Sequence, residues 1–122
     1  MVTKSRARTF TRCESAAVAA RCFYDETITR YADTLAFVVM PDDIHWLIQL
    51  KASASLSEAV RLYKAKVSLL LGQRIWQHGF HDHALRAEED IVGVARYIVA
   101  NPLRAGLCDK IGHYPYWNAK WL

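Results

Sequence analysis

The sequence predicts an α+β fold, with helices packed on an antiparallel sheet. Three observations carry that prediction: a hairpin pattern over residues 34–50, a doubly signalled helix over 55–72, and an Ala-rich and a Val/Ile-rich helical stretch on either side of them. Each element follows from its residues. Residues 13–32 are rich in Ala and place Val18, Cys22, Phe23 and Tyr31 at roughly helical spacing, which predicts a first helix. In TLAFVVM, Leu35, Phe37 and Val39 alternate with smaller partners. After the short Pro41-Asp42-Asp43 connection comes IHWLIQL, so the two runs read as a β-hairpin.

The second helix starts at Ser55, with Glu58 three residues on as a capping box, and stops at Gly72. From Arg74 the chain reads as two short extended pieces broken at His78-Gly79. A third helix opens on the acids Glu88, Glu89 and Asp90, which suit the positive end of a helix dipole, and closes at Pro102 with Asn101 in its last turn or cap. The end of the chain, with Tyr114, Tyr116, Trp117 and Trp121, is too aromatic for a linker and is expected to dock as a short helix or loop.

With 122 residues, 52% of them hydrophobic, the chain is expected to form one domain with a modest core. Its net charge of +4 is unevenly spread. Lys4, Arg6, Arg8 and Arg12 sit in residues 1–12 without an acid, and the other twelve Lys and Arg equal the twelve Asp and Glu. Residues 1–12 therefore read as a basic tail, either a phosphate-binding arm or a merely soluble terminus. Cys13, Cys22 and Cys108 are an odd number without Cys-x-x-Cys spacing, which predicts reduced thiols and a cytoplasmic setting. The longest apolar runs are too short to span a bilayer, and no signal-peptide pattern follows the basic start, so neither membrane insertion nor secretion is expected.

Strand alternation puts Asp43 and His45 on one side of the hairpin and Ile44 and Trp46 on the other. A carboxylate and an imidazole so placed can share a divalent metal, or serve as a turn residue and a half-buried histidine. On the third helix Tyr97 and Asn101 are four residues apart and share a face, with Gly93 one turn earlier leaving room beside the phenol. Tyr97 is thus a candidate nucleophile, although a packed, hydrogen-bonded tyrosine has the same spacing. His78, His81 and His83 raise zinc as a rival, but position suggests no fourth ligand, and they read as sheet-surface groups.

Taken in order, VVMPDDIHWLIQL, IWQHGFHDHALR and EEDIVGVARYIVANPLRAGL resemble the Y1, His-hydrophobic-His transposases of single-stranded DNA, and among them most nearly the REP-associated tyrosine transposases. The likeness covers about residues 34–122, and GHYPYWNAKWL is similar to the ends of such proteins. It implies a ferredoxin-like, HUH-type sandwich and a metal-assisted transesterification on single-stranded or hairpin DNA, with a tyrosine linked to the 5′ phosphate. Carried onto this sequence, Tyr97 matches the nucleophile, His45 the second histidine of the motif, and Asn101 the third metal-binding group, with Mg or Mn as the metal. A homodimer in the bacterial cytoplasm, at the nucleoid, is the corresponding expectation.

Two departures stand out. Position 43 is Asp where the family has its first histidine, which leaves a carboxylate suited to Mg or Mn but adds a negative charge, so the resemblance implies either an active strand transferase with a retuned metal site or a catalytically inactive, truncated descendant that only binds DNA. The apolar strand that opens the family's domain has no counterpart before RTFTRCESAA, which would leave a sheet edge unpaired. For DNA contact the expected residues are Lys64 and Lys66 of the second helix, Arg74 and Trp76 after it, and Arg96 and Arg104 flanking the tyrosine.

Overall fold

The computed structural model describes residues 1–86 and 90–121. Its centre is the predicted hairpin: β1 (Ala32–Val39) pairs antiparallel with β2 (Ile44–Leu50), and Met40 donates its backbone N–H to Asp43 to close the turn. β3 (Trp117–Ala119) adds to the other side of β1, giving the order β2-β1-β3. The aromatic end of the chain therefore docks partly as a strand, not as a helix or loop alone.

Alternation sorts the side chains to two faces. Phe37, Val39 and Ile44 join one buried cluster with α1 (Cys13–Cys22) and α3 (Leu56–Leu71), and Trp46 packs against it. Leu35, Ala36, Leu47 and Ala119 form a second cluster with Ala95 and Val99 of α4 (Ile91–Val99). Helices thus cover both faces. Consecutive Leu35 and Ala36 reach the same cluster because the pairing shifts between Thr34 and Ala36, leaving Leu35 as an extra residue opposite β2.

The first cluster centres on stacked rings. Phe23 lies 4.4 Å from Phe37 and 4.3 Å from Tyr63, centroid to centroid, and 5.0 Å from Trp46. Tyr63 is fully buried, and its hydroxyl donates to the Ala19 carbonyl at 2.8 Å, which satisfies the polar tip without water.

Both signals for α3 hold. The Ser55 hydroxyl accepts from the Glu58 N–H at 3.1 Å, and Gly72 takes the left-handed conformation, φ 73°, with its N–H bonded to the Ser68 and Leu69 carbonyls. The expected first helix over 13–32 is instead broken. α1 ends at Cys22, and α2 (Glu26–Thr29) starts afresh because the Asp25 carboxylate caps it, accepting from both the N–H and the hydroxyl of Thr27. Those bonds, with Lys66 3.5 Å away, hold the Asp25 carboxyl below its usual value. A depressed carboxyl stabilises the fold above its unfolded value of about 3.9 and stops doing so as pH falls through the folded value. Asp25→Ala is therefore expected to lower the urea midpoint at neutral pH, and this difference should shrink below about pH 4, the unfolded carboxyl range. A constant difference down to strong acid would contradict the capping account.

The first twelve residues do not hang free as a tail. Met1–Thr3 runs extended between β2 and Ile75–Gln77: Ile44 N–H donates to Met1 O and Thr3 N–H to Asp42 O on one side, while Lys4 N–H donates to Ile75 O and Gln77 N–H to Val2 O on the other. Thr3 and Phe10 are buried. The edge expected to lie open beside β2 is thus partly covered by this three-residue stretch. The two extended pieces expected after Arg74 reduce, among the described residues, to a single bridge between Thr3 and Trp76.

Of the three acids expected to open the third helix, Glu88 lies outside the described residues, as does Glu89. Asp90 sits at the N-cap without a side-chain capping bond. Pro102 does not stop the chain's helical course. It occupies the first turn of α5 (Asn101–Arg104), where its missing N–H costs nothing. No helix among the described residues is long and apolar enough to cross a membrane.

Candidate nucleic-acid site

Asp43 and His45 emerge from the start of β2 on one side, as alternation requires, and Asp43 Oδ2 lies 3.1 Å from His45 Nε2. His45 pairs across the sheet with Val38, two residues from Leu47 of the second cluster, so the pair belongs to the face that carries α4. Burial pushes the Asp43 carboxyl up. The hydrogen bond and charge of His45, the N-terminal ammonium and Arg6 outweigh it, and the group is held below its usual value. The N-terminal ammonium itself donates to Ile44 O at 3.1 Å; burial lowers its pKa, opposed by the Asp43 charge.

Tyr97 lies on α4 between Ala95 and Val99, which touch the sheet, and so turns outward, with 66% of its surface exposed. The Arg104 guanidinium carbon sits 3.8 Å over the ring centroid. The Tyr97 hydroxyl has no hydrogen-bond partner among the described residues. Tyr63 and Tyr114 do the opposite, donating to Ala19 O and Val39 O. The room expected at Gly93 is taken: a Cβ there would meet Asp90 Oδ2 at 2.6 Å, so the glycine accommodates a carboxylate, not the phenol.

Asn101 opens α5, two residues beyond the end of α4, and is half-buried; its amide N–H donates to Ile98 O at 2.8 Å. That leaves the amide oxygen as the atom a cation would take. A carboxylate, an imidazole and an amide oxygen make a donor set that suits a hard divalent ion keeping several waters. Asp43 and His45 already converge. Among the described residues no three His, Cys, Asp or Glu side chains gather at a metal-binding spacing, His78, His81 and His83 included.

The basic residues divide. A groove of about 600 Å³ runs between α3 and residues 74–80, and Arg61, Lys64, Arg74, Trp76, His78 and Phe80 are among its walls. Lys66 is not part of it. Two residues apart on a helix means nearly opposite faces, and Lys66 pairs with Asp25 at 3.5 Å on the far side. Lys64 Nζ is spoken for as well, donating to Gln77 O at 3.1 Å and Gly79 O at 2.6 Å and lying 5.8 Å from the Trp76 ring. Burial lowers its pKa. The Trp76 indole N–H bonds the Lys64 carbonyl at 3.0 Å, and its ring lies against Phe10 and Tyr63. Lys64 and Trp76 therefore shape the groove more than they offer themselves to a ligand. Arg61 and Phe80 were missed in the sequence, although Arg61 stands three residues before Lys64 and so on the same helical face. Arg96 is exposed on α4, apart from this groove.

Comparison with known proteins agrees with this architecture. A putative REP-associated tyrosine transposase of Haemophilus influenzae is 26% identical over 113 residues, covering 79% of this chain and 64% of the relative, so the chain spans less than two thirds of that protein. A solved structure of a REP-associated tyrosine transposase bound to a REP hairpin shares the fold with a TM-score of 0.75, at 23% identity, over 95% of this chain and 71% of that one. The sequence model of the family described as "Transposase IS200 like" matches residues 1–100, which include the N-terminal stretch, the Asp43–His45 pair and Tyr97, and the chain belongs to that family.

Proposed function

We propose that the protein cuts and rejoins single-stranded DNA through a 5′-phosphotyrosine formed on Tyr97, acting on hairpin-bearing strands as a REP-associated transposase does. The observation that carries this reading is the exposed Tyr97 phenol, without a hydrogen-bond partner among the described residues, on the helix that covers the Asp43–His45 face of the sheet. An attacking group must be both reachable and free of a competing bond. In the proposed step the Tyr97 oxygen attacks phosphorus and loses its proton. The bond from phosphorus to the 3′ oxygen breaks, and that oxygen takes up a proton. Reversal by a 3′ hydroxyl rejoins the strand, and the covalent link conserves the bond energy.

Asp43, His45 and Asn101 would hold Mg or Mn, which supplies Lewis-acid polarisation of the phosphoryl oxygen. Arg104, stacked on the Tyr97 ring, orients the phenol and offers its remaining N–H groups to the phosphate. A homodimer acting at the nucleoid is part of the same proposal. The test is covalent capture: full-length protein, a hairpin-bearing single strand and Mg or Mn, resolved on a denaturing gel. An adduct is expected, and His45→Ala should reduce it at least about a hundredfold, as befits loss of a metal ligand. If wild type forms none, Asp43→His decides the matter. Adduct gained by that change identifies a DNA-binding descendant disabled at position 43, and none in either protein refutes the nucleophile.

A further inference from the structure

We infer that Tyr114 is a positioning residue for the candidate metal site: its hydroxyl fixes the peptide unit that in turn holds Asp43 beside His45. The inference rests on the reading of Asp43 and His45 as cation ligands and names what keeps the first of them in place.

The connection from β1 to β2 is tied down from both ends of the chain. Phe10 N–H donates to Pro41 O at 3.0 Å, and Thr3 gives Asp42 O its backbone N–H at 2.9 Å. From the other end, Tyr116 O accepts the Val39 N–H at 2.9 Å, and the Tyr114 hydroxyl donates to Val39 O. In a regular antiparallel pair the Tyr116 N–H would fill that last place, but here a side chain does.

Tyr114 differs from the other ties in the peptide it grips. Val39 O and Met40 N–H belong to one planar peptide unit, and that N–H donates to Asp43 O at 2.8 Å. The bonds therefore run in series, from phenol to carbonyl and from amide to the backbone of Asp43. Bonds linked in this way strengthen one another. From the backbone so held, Asp43 sets Oδ2 3.1 Å from His45 Nε2. Burial, followed by the neighbouring Tyr116, Cys108 and Asp43, pushes the Tyr114 phenol up to about 12, so it stays a donor at neutral pH.

The experiment uses the full chain with Mn alone, read by the loss of the free Mn signal in electron paramagnetic resonance. Tyr114→Phe removes one oxygen from a half-buried ring that is part of neither buried cluster. It is expected to weaken Mn binding about tenfold, the scale for partners that orient a ligand from behind, with little change in melting temperature. Val67→Ala, a truncation in the core of α3, should lower the melting temperature and leave Mn affinity as it was. A second readout needs no metal. Hydrogen exchange at the Met40 amide should quicken several-fold in Tyr114→Phe, while the Val67 amide keeps its wild-type rate.

Equal Mn affinity in wild type and Tyr114→Phe would overturn the inference, as would an unchanged Met40 amide, or a Val67→Ala protein that loses Mn to the same degree. Should Tyr114→Phe prove misfolded by circular dichroism, the wild type decides. A Met40 amide protected like those of α3 sustains the inference, and one exchanging like a free turn amide overturns it. Mn binding that His45→Ala does not weaken would strike the metal reading and this inference together. Binding that depends on His45 but not on Tyr114 would strike the inference alone.

Discussion

Tyr97→Phe is expected to eliminate covalent capture of DNA while leaving stability and DNA affinity near wild type. The change removes one oxygen that makes no hydrogen bond among the described residues, so no buried partner is left unsatisfied. The ring stays, and with it the surface beneath Arg104. A nucleophile cannot be replaced by its neighbours, so the loss should be complete at a sensitivity of about a thousandfold, the scale of catalysis lost with such groups. Unfolding midpoint and gel-shift affinity serve as the two controls. An adduct that persists in Tyr97→Phe would move the attacking group elsewhere, and Tyr24, exposed and beside β3, would be the next phenol to examine.

Phe23→Ala should have the opposite profile, unfolding the protein with no chemical role at all. Phe23 has no exposed surface and stacks on Phe37 and Tyr63 while touching Trp46, so its removal opens a cavity between α1, α3 and the hairpin. Such a truncation costs about 3–5 kcal/mol, against total stabilities of about 5–15 kcal/mol for a domain. The variant should melt at least about 10 °C lower, or fail to accumulate as folded protein. A melting point unchanged within error would mean that the ring stack is not the centre of the core.

These two residues also mark how much was legible beforehand. The hairpin and α3 could be read because their signals are local: alternating faces in the one, a serine cap and a terminal glycine in the other. The helix that carries Tyr97 and the shared side of Asp43 and His45 followed from period alone. What could not be read depends on partners distant in sequence. Nothing local says that Asp25 restarts a helix instead of continuing one, or that three polar-flanked residues, Trp117–Ala119, find β1. The basic composition of residues 1–12 hid Thr3 and Phe10, which are buried because Asp42 and Pro41 receive their backbone hydrogens. Lys64 and Lys66 looked like a pair in the sequence, yet helical rotation sends one to the groove and the other to Asp25. Nor does the spacing of Tyr97 say that its phenol lies exposed under Arg104, on the helix that covers the Asp43–His45 side of the sheet.

The surplus residue in β1 bears on the seat of Tyr97 as well. Leu35 gives the side that carries α4 two adjacent apolar side chains where strict alternation would allow one, and its carbonyl accepts the Lys120 N–H next to β3. The platform under Tyr97 is thus footed on an insertion that the ring-stacked half of the molecule does not share. Dropping that one residue would take away the second apolar side chain beneath α4, while the aromatic half kept its alignment with β2.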